Sequence, residues 1–155
     1  MSYSQRLFEH ILCILDAHQT RADMTSTTED QVLEPIRDSN PTPDKCRQAL
    51  KIALNVLDRW DLSEEQRLGS LGLNNEAELA DYMSSEVVFP DVLNFRISII
   101  IGLHADLKRL FLQKQHQRQW MVNKHKSLSN QSPVDVLCSD DLVEIRRLRT
   151  TLGQF

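Results

Sequence analysis

Apolar residues recur at intervals of three and four along most of this chain, the spacing that gathers them on one face of a helix. Only four glycines and five prolines occur in its 155 residues, too few for a β-sandwich with its many turns. We therefore predict an all-α fold. The predicted helices cover residues 4–17, 42–60, 64–71, 76–83, 91–113, 120–126, 133–137 and 139–152.

Residues 61–83 carry start and stop signals for two short helices. Ser63 is followed three residues later by Gln66, as a capping box at a helix start requires. Gly72 supplies the left-handed conformation preferred at a helix end, and Asn74 or Asn75 can cap the next helix. Two short helices joined by a glycine turn predict a helix-turn-helix shape.

The segment 91–113 is the most apolar part of the chain. Its apolar side chains surround most of a helix about 30 Å long, and such a helix is buried on several sides. We predict that it is the central core helix, a dimer seam, or both. A histidine within it is better explained as a core residue than as a metal ligand. The residues assigned to this core or dimer helix are Ile97, Ile100, Ile101, His104 and Leu107.

Residues 20–43 differ from the helical segments in composition. They contain a run of threonine and serine, several acids and three prolines, which suits a linker with one short helical turn near residues 31–36. We place a boundary near residue 43, so that residues 1–45 form an N-terminal helix and acidic linker. Residues 46–94 then form a helix-turn-helix-like region, and residues 95–155 form a core helix and a small helical domain. Ser139 is predicted to cap the last helix.

The net charge of −4 conceals an asymmetry along the chain. Residues 1–45 carry four basic and eight acidic residues, residues 46–94 carry four and nine, and residues 95–155 carry ten and five. An acidic N-terminal part and a basic C-terminal part indicate two functional surfaces. Alternatively, the two parts neutralise each other within one fold or dimer.

The sequence shows no catalytic or metal-binding pattern. None of its five histidines forms an HExxH pair, and the phosphate-binding and nucleophile motifs GxxxxGK, GxGxxG and GxSxG do not occur. The three cysteines are far apart and odd in number, which fits a reducing compartment. No signal peptide is evident, and the longest apolar run is shorter than the ~20 residues of a membrane span. We expect a cytoplasmic protein without cofactor, metal or membrane partner.

Two segments bear on nucleic-acid binding. The second helix of the helix-turn-helix pair and its flanks, residues 74–91, carry five acids and no lysine or arginine, which opposes binding to a polyanion. The basic stretch 108–126 could bind nucleic acid or an acidic partner, or form a solvated face. Trp120 within it is either an interface anchor or a residue that closes the edge of the core.

Three segments in this order resemble the Xre/MbcA/ParS family of bacterial antitoxins. The first, "ALKIALNVLDRWDLSEEQRLGSLGL" (residues 49–73), resembles the helix-turn-helix of the family. The second, "RISIIIGLHADLKRLF" (residues 96–111), resembles its central helix. The third, "QWMVNKHKSLSNQSPVDVL" (residues 119–137), together with the final helix, resembles its toxin-binding domain. The resemblance covers roughly residues 46–152.

This resemblance implies an antitoxin that neutralises a RES-like toxin, which consumes NAD⁺ or transfers ADP-ribose, by covering its active site. We expect this antitoxin to act as a homodimer through its core helix, without a cofactor. By the resemblance, one group of residues shapes the toxin-binding face, and a second, C-terminal group approaches the toxin's cleft. The first group is Trp120, Met121, Ser132, Pro133, Val134 and Leu137, and the second is Arg146, Arg147, Arg149 and the tail to Phe155.

The chain departs from the family pattern in three places. The family usually has a glycine pair before its Ser-Pro, where this chain has residues 129–131, Ser-Asn-Gln. The acidic second helix argues against operator DNA as a partner, and residues 1–45 lie outside the resemblance. Two alternatives to the antitoxin are a helix-turn-helix transcriptional regulator and an orphan adaptor that keeps the fold without a toxin.

Overall fold

The computed structural model describes residues 28–84 and 86–153, and within these ranges it confirms the predicted all-α fold. The only β pairing among them is an isolated bridge between His125 and Gln131, and a single 3-10 turn covers Lys126–Leu128. The helix predicted over residues 4–17 lies outside the described residues. The helices are α1 (Glu29–Ser39), α2 (Pro43–Arg59), α3 (Glu64–Leu71), α4 (Glu76–Ser84), α5 (Asp91–Leu110), α6 (Lys114–Val122), α7 (Pro133–Leu137) and α8 (Leu142–Leu152).

Helix α5 is the centre of the fold, as the sequence predicts. It packs against α1, α2, α3 and α8, and twelve of its twenty residues are buried. A fully buried isoleucine or leucine contributes about 1.5–3 kcal/mol to stability, so this helix supplies much of the folding free energy. The helix ends three residues earlier than predicted because Phe111 adopts an extended conformation, with φ −124° and ψ 115°.

The helix-turn-helix-like region predicted over residues 46–94 contains helices α2, α3 and α4, and α2 contacts both shorter helices. The capping box between Ser63 and Gln66 begins α3. Gly72 ends it in the left-handed region, with φ 70°. Asn75 accepts a hydrogen bond from the Glu78 amide at 2.8 Å, so it is the cap of α4. Local capping signals therefore place both helices correctly.

The linker expected over residues 20–43, with one short helical turn near residues 31–36, is wrong for residues 29–39, all of which form α1. Residues 20–27 of that linker lie outside the described residues. A capping box between Thr28 and Gln31 starts this helix, and its buried face packs on α5 and α8. Pro35 lies inside the helix and belongs to that buried face. The helix is stabilised by packing despite a residue that lowers helix propensity. The buried side chains are Val32, Leu33, Pro35 and Ile36.

The C-terminal helices follow the predicted order with different boundaries. Helix α6 covers Lys114–Val122 instead of residues 120–126. Ser139 does not cap the last helix, because its hydroxyl donates to the Val136 carbonyl at 2.7 Å. Asp141 is the cap and accepts hydrogen bonds from the Val143 and Glu144 amides, both at 3.1 Å. Helix α8 therefore begins at Leu142.

One cluster of buried apolar residues runs through the described part of the chain from Val32 to Leu152. It includes members of each of the three segments into which the sequence was divided. Helix α8 contributes three fully buried side chains, Ile145, Leu148 and Leu152. The last helix is thus part of the same core as α5.

Candidate partner-binding site

Most residues of the expected toxin-binding face lie inside the fold. Trp120 and Met121 are on the inner side of α6, and Trp120 retains only 5% of its exposure. Ser132 caps α7 by accepting a hydrogen bond from the Asp135 amide, while Pro133 occupies the first turn. Side chains with so little exposed area stabilise the packing of α6 and α7 and leave little surface for a partner. The buried members of the set are Trp120, Met121, Ser132, Pro133, Val134 and Leu137.

Trp120 closes the edge of the core, which is the second of the two roles considered for it. Its ring lies beside the His125 ring, with centroids 5.2 Å apart and planes inclined by 34°. The His125 Nε2 atom is also 2.8 Å from the Trp120 carbonyl oxygen. These contacts fasten the loop after α6 to the helix itself.

The turn before α7 has the backbone of a glycine-rich turn although it contains none. Ser129 and Asn130 adopt φ values of 55° and 61°, in the left-handed region that glycine occupies most easily. They stand among the three residues where the resembling family has its glycine pair. Although this chain has no glycine here, Ser129 and Asn130 adopt the left-handed backbone that a glycine pair would adopt easily.

Arg149, expected to approach a toxin's cleft, is instead buried against α5. Its Nε donates to Asp106 Oδ2 at 2.7 Å and its Nη2 donates to Oδ1 at 3.2 Å. Arg109 pairs with the same carboxylate. A Cβ on Gly102 would lie 2.9 Å from Arg149 Nε, so the absent side chain makes room for the guanidinium. Arg149 is an internal tie between α8 and α5.

A second buried arginine, Arg96, joins α5 to α7. Its Nη1 donates to the Leu137 carbonyl at 2.6 Å, and its Nη2 donates to the Ser139 carbonyl at 2.7 Å. Gly72 gives it space, because a Cβ there would lie 2.9 Å from Arg96 Nε. Burial lowers the pKa of the Arg96 guanidinium from its ordinary value, and Asp140 opposes that shift.

The residues of the predicted site that do face outward are on α8. Arg147 is exposed and donates to Glu144 at 2.7 Å, and Arg146 is half-buried. Phe155 lies outside the described residues. The structure therefore separates the C-terminal arginines into one that stabilises the fold and two that reach its surface.

Of the five residues assigned to a core or dimer helix, four lie in the core of a single chain. Ile97, Ile100, Ile101 and Leu107 are buried, so these side chains have no surface with which to meet a second copy. His104 is half-buried. Burial first, and then Arg59 and Lys108, lower its pKa to about 4, so the ring is neutral near pH 7. This agrees with its interpretation as a core histidine.

The helix-turn-helix-like unit offers an acidic surface. Arg67 of α3 pairs with Asp58 of α2 at 3.5 Å and with Glu76 of α4. The Arg67 guanidinium therefore joins α3 to both α2 and α4. Because α4 itself has no lysine or arginine, its surface would repel a phosphate backbone.

Within the described residues, no group of three or more histidine, cysteine or acidic side chains is arranged to hold a metal ion. No described helix is both long enough and apolar enough to span a membrane. Cys46 and Cys138 are free thiols, and burial is the main cause that raises the pKa of each. Cys13 lies outside the described residues.

Sequence reasoning did not single out Arg96 and Asp106, the two buried charges of the central helix. A signal for them exists in the sequence, since both interrupt an otherwise apolar segment. Buried charges require partners, and each of these finds one on a C-terminal segment. The partners Leu137, Ser139 and Arg149 are about forty residues away in the chain.

Comparison with known proteins gives no match: no family model matches the chain, and no curated protein or solved structure is significantly similar to it.

Proposed function

We propose that this chain is a non-catalytic binding protein that neutralises a partner protein, in the manner of the antitoxins it resembles. The observation that carries the proposal is the rigid attachment of α8 to the central helix. Arg149 and Asp106 join the two helices through two hydrogen bonds, and Ile145, Leu148 and Leu152 are fully buried beneath them. A preorganised helix binds a partner with a smaller loss of conformational entropy.

The surface proposed for the partner is the outward side of α8, with Arg146 and Arg147. Two arginines on such a surface suit an anionic or acid-lined cleft, because a guanidinium can donate two parallel hydrogen bonds to a carboxylate or phosphate. The buried residues of α6 and α7 act in this proposal as the support of that surface. A RES-like toxin with its NAD⁺ cleft is the partner that the family resemblance suggests.

The test is co-expression with a RES-domain toxin encoded in the same genome, with growth and cellular NAD⁺ as readouts. The wild-type chain should restore both, and Arg146→Glu with Arg147→Glu should abolish the rescue. A matched control, Lys45→Glu with Lys51→Glu, reverses two exposed charges on α2 and should rescue like the wild type. Equal rescue by both variants would remove α8 from the proposed interface, and no rescue by the wild type would contradict the proposal for that toxin.

Transcriptional regulation through the helix-turn-helix-like unit is a weaker candidate. Its helices have the required order, but the second helix α4 carries acids and no lysine or arginine. On the first helix, Arg67 is engaged with Asp58 and Glu76. Salt-sensitive binding to the chain's own promoter would be the observation in its favour.

A further inference from the structure

The turn that follows helix α5, residues 110–113, presents two exposed leucines and is called the leucine turn below. Leu112 retains 98% of its exposure and Leu110 retains 42%. The turn is anchored from inside, because the buried Gln117 side chain donates to the Phe111 carbonyl at 2.9 Å. A leucine that an anchored turn holds in contact with water is a candidate contact for another apolar surface.

The sequence before the described residues contains an apolar face of its own. In residues 4–17 the apolar positions recur at intervals of three and four, which places them on one side of the predicted helix. These positions are Leu7, Phe8, Ile11, Leu12, Ile14 and Leu15. A helix of this length is only marginally stable in water, and helices in proteins gain most of their stability by packing such a face. The predicted helix therefore needs an apolar surface to pack on.

The direction of helix α1 brings the start of the described chain toward the leucine turn. Arg37, near the end of α1, pairs with Asp91 in the first turn of α5 at 3.2 Å. Helix α8 lies beside the second half of α5, where Arg149 pairs with Asp106. Because α1 also contacts α8, it extends from the first turn of α5 toward the second half of that helix. Thr28, at the start of α1, is therefore on the side of the leucine turn.

The residues between the predicted helix and α1 are long enough to bring that helix to the leucine turn. Residues 18–27 can span at most about 33–36 Å when extended, whereas the whole of α5 is about 30 Å long. A tether of this length keeps the predicted helix at an effective concentration on the order of millimolar. The tether therefore favours it over any unlinked partner of similar chemistry.

We propose that residues 4–17 form a helix whose apolar face packs on Leu110 and Leu112 of the same chain. The other exposed apolar cluster, with Val88 at 78% exposure, lies at the opposite end of α5, away from the start of α1. Residues 4–17 carry one basic and two acidic residues, so the contact is mainly apolar and should persist in high salt, unlike a contact between opposite charges. It uses none of the residues assigned to the neutralised partner and is independent of that function.

The experiment is amide hydrogen exchange of the full-length chain, measured for residues 4–17. In the wild type these amides should exchange about tenfold or more slowly than in an unfolded chain, the factor that corresponds to burial of one leucine. The protection should be the same at all protein concentrations and at about 0.5 M salt. Leu112→Asp should remove it, because a carboxylate replaces the apolar contact. Val88→Asp is the matched control at the other exposed cluster and should retain it.

A second pair of variants changes the predicted helix itself. Ile11→Asp places a carboxylate on its apolar face and should remove the protection, whereas Cys13→Asp places one on the opposite face and should retain it. Circular dichroism verifies that Leu112→Asp and Val88→Asp remain folded, as expected for substitutions of exposed residues. The proposal would be overturned by an unprotected wild-type segment, by full protection in Leu112→Asp, or by loss of protection in Val88→Asp. Protection that rises with protein concentration would assign the contact to a second copy and would overturn it as well.

Discussion

At the scale of single residues, the buried ion pair between Asp106 and Arg149 constrains how α8 packs on α5. Removing Asp106 takes this carboxylate away from the buried Arg149 guanidinium, and breaking a buried pair from one side costs about 3–5 kcal/mol. Replacing both members by apolar residues avoids that penalty. The pair therefore contributes little to net stability, and its main effect is to fix the position in which α8 packs on α5.

Asp106→Ala should lower the free energy of unfolding by about 3–5 kcal/mol, while Asp106→Leu combined with Arg149→Met should restore a large part of the loss. The measurement is urea denaturation followed by circular dichroism. Arg147→Met is the control, because its pair with Glu144 is exposed and is worth about 1 kcal/mol or less. A double variant no more stable than Asp106→Ala would contradict this account.

His104 makes stability depend on pH in a defined window. Its pKa is about 4 in the folded chain and near 6.5 when unfolded. As pH falls from about 6.5 to 4, the unfolded chain takes up a proton that the folded chain does not. Stability should therefore fall across this window, by at most about 1.4 kcal/mol per pH unit. Below about pH 4, His104 is protonated in both the folded and the unfolded chain, so it causes no further loss of stability.

The check is to compare urea denaturation at pH 7.5 and pH 5 for wild type and His104→Gln. The wild type should lose more stability than the variant between these two pH values. His116→Gln changes an exposed histidine on α6 and should behave as wild type. Equal losses in all three chains would show that His104 does not titrate as described.

At the scale of elements, the sequence predicted the short helices α3 and α4 with nearly correct bounds, and it predicted α1 only as one short helical turn. Ser63, Gly72 and Asn75 act within a few residues of themselves, so their effects can be read directly. Helix α1 was predicted too short, because Pro35 and the neighbouring threonines indicate a linker and outweigh the capping box at Thr28. Its buried face packs on α5 and α8. That packing depends on the tertiary fold, which local patterns do not specify.

The candidate site was predicted less well than the fold, for a related reason. The sequence identified the arginines of the last helix but could not show that Arg149 faces Asp106 while Arg147 faces solvent. Asp106 and Arg149 are about forty residues apart in the sequence, so no local pattern indicates that they form a pair. Likewise, Trp120 stands among polar residues in the sequence, as an interface anchor often does. Only the fold shows that it closes the edge of the core.

Arg96 joins α5 to the end of α7 and to Ser139 after it, so its loss should affect more than one helix. Arg96→Ala removes the donor from the Leu137 and Ser139 carbonyls, and each carbonyl left without a partner costs about 1–3 kcal/mol. We expect a loss of about 3 kcal/mol or more in urea denaturation, with faster amide hydrogen exchange in α7. Arg118→Ala breaks only an exposed pair with Asp61 and should change stability little. Unchanged exchange in α7 would contradict the role given to Arg96.

At the scale of the whole molecule, α8 belongs to the core that the other helices share. The division at residue 95 suggested by the sequence separates segments whose buried side chains form one cluster. A C-terminal truncation therefore tests folding before it tests binding.

A chain ending at Asp140 should lose its cooperative thermal transition, because it lacks Ile145, Leu148, Leu152 and the guanidinium of Arg149. The measurement is thermal unfolding by circular dichroism, with loss of protected amides in α5 as a second readout. Thr150→Ala, at an exposed position of the same helix, should melt like wild type. A truncated chain with an unchanged transition would show that α8 is dispensable for folding.

The two glycines that lie under arginines have a consequence for recognising relatives of this chain. Any side chain at position 102 would occupy space taken by Arg149, and any side chain at position 72 would press on Arg96. Each glycine and its arginine should therefore be inherited or replaced together. In an alignment of distant relatives, the pairs 72 with 96 and 102 with 149 should covary, and this joint pattern would identify the fold where overall identity is too low to do so.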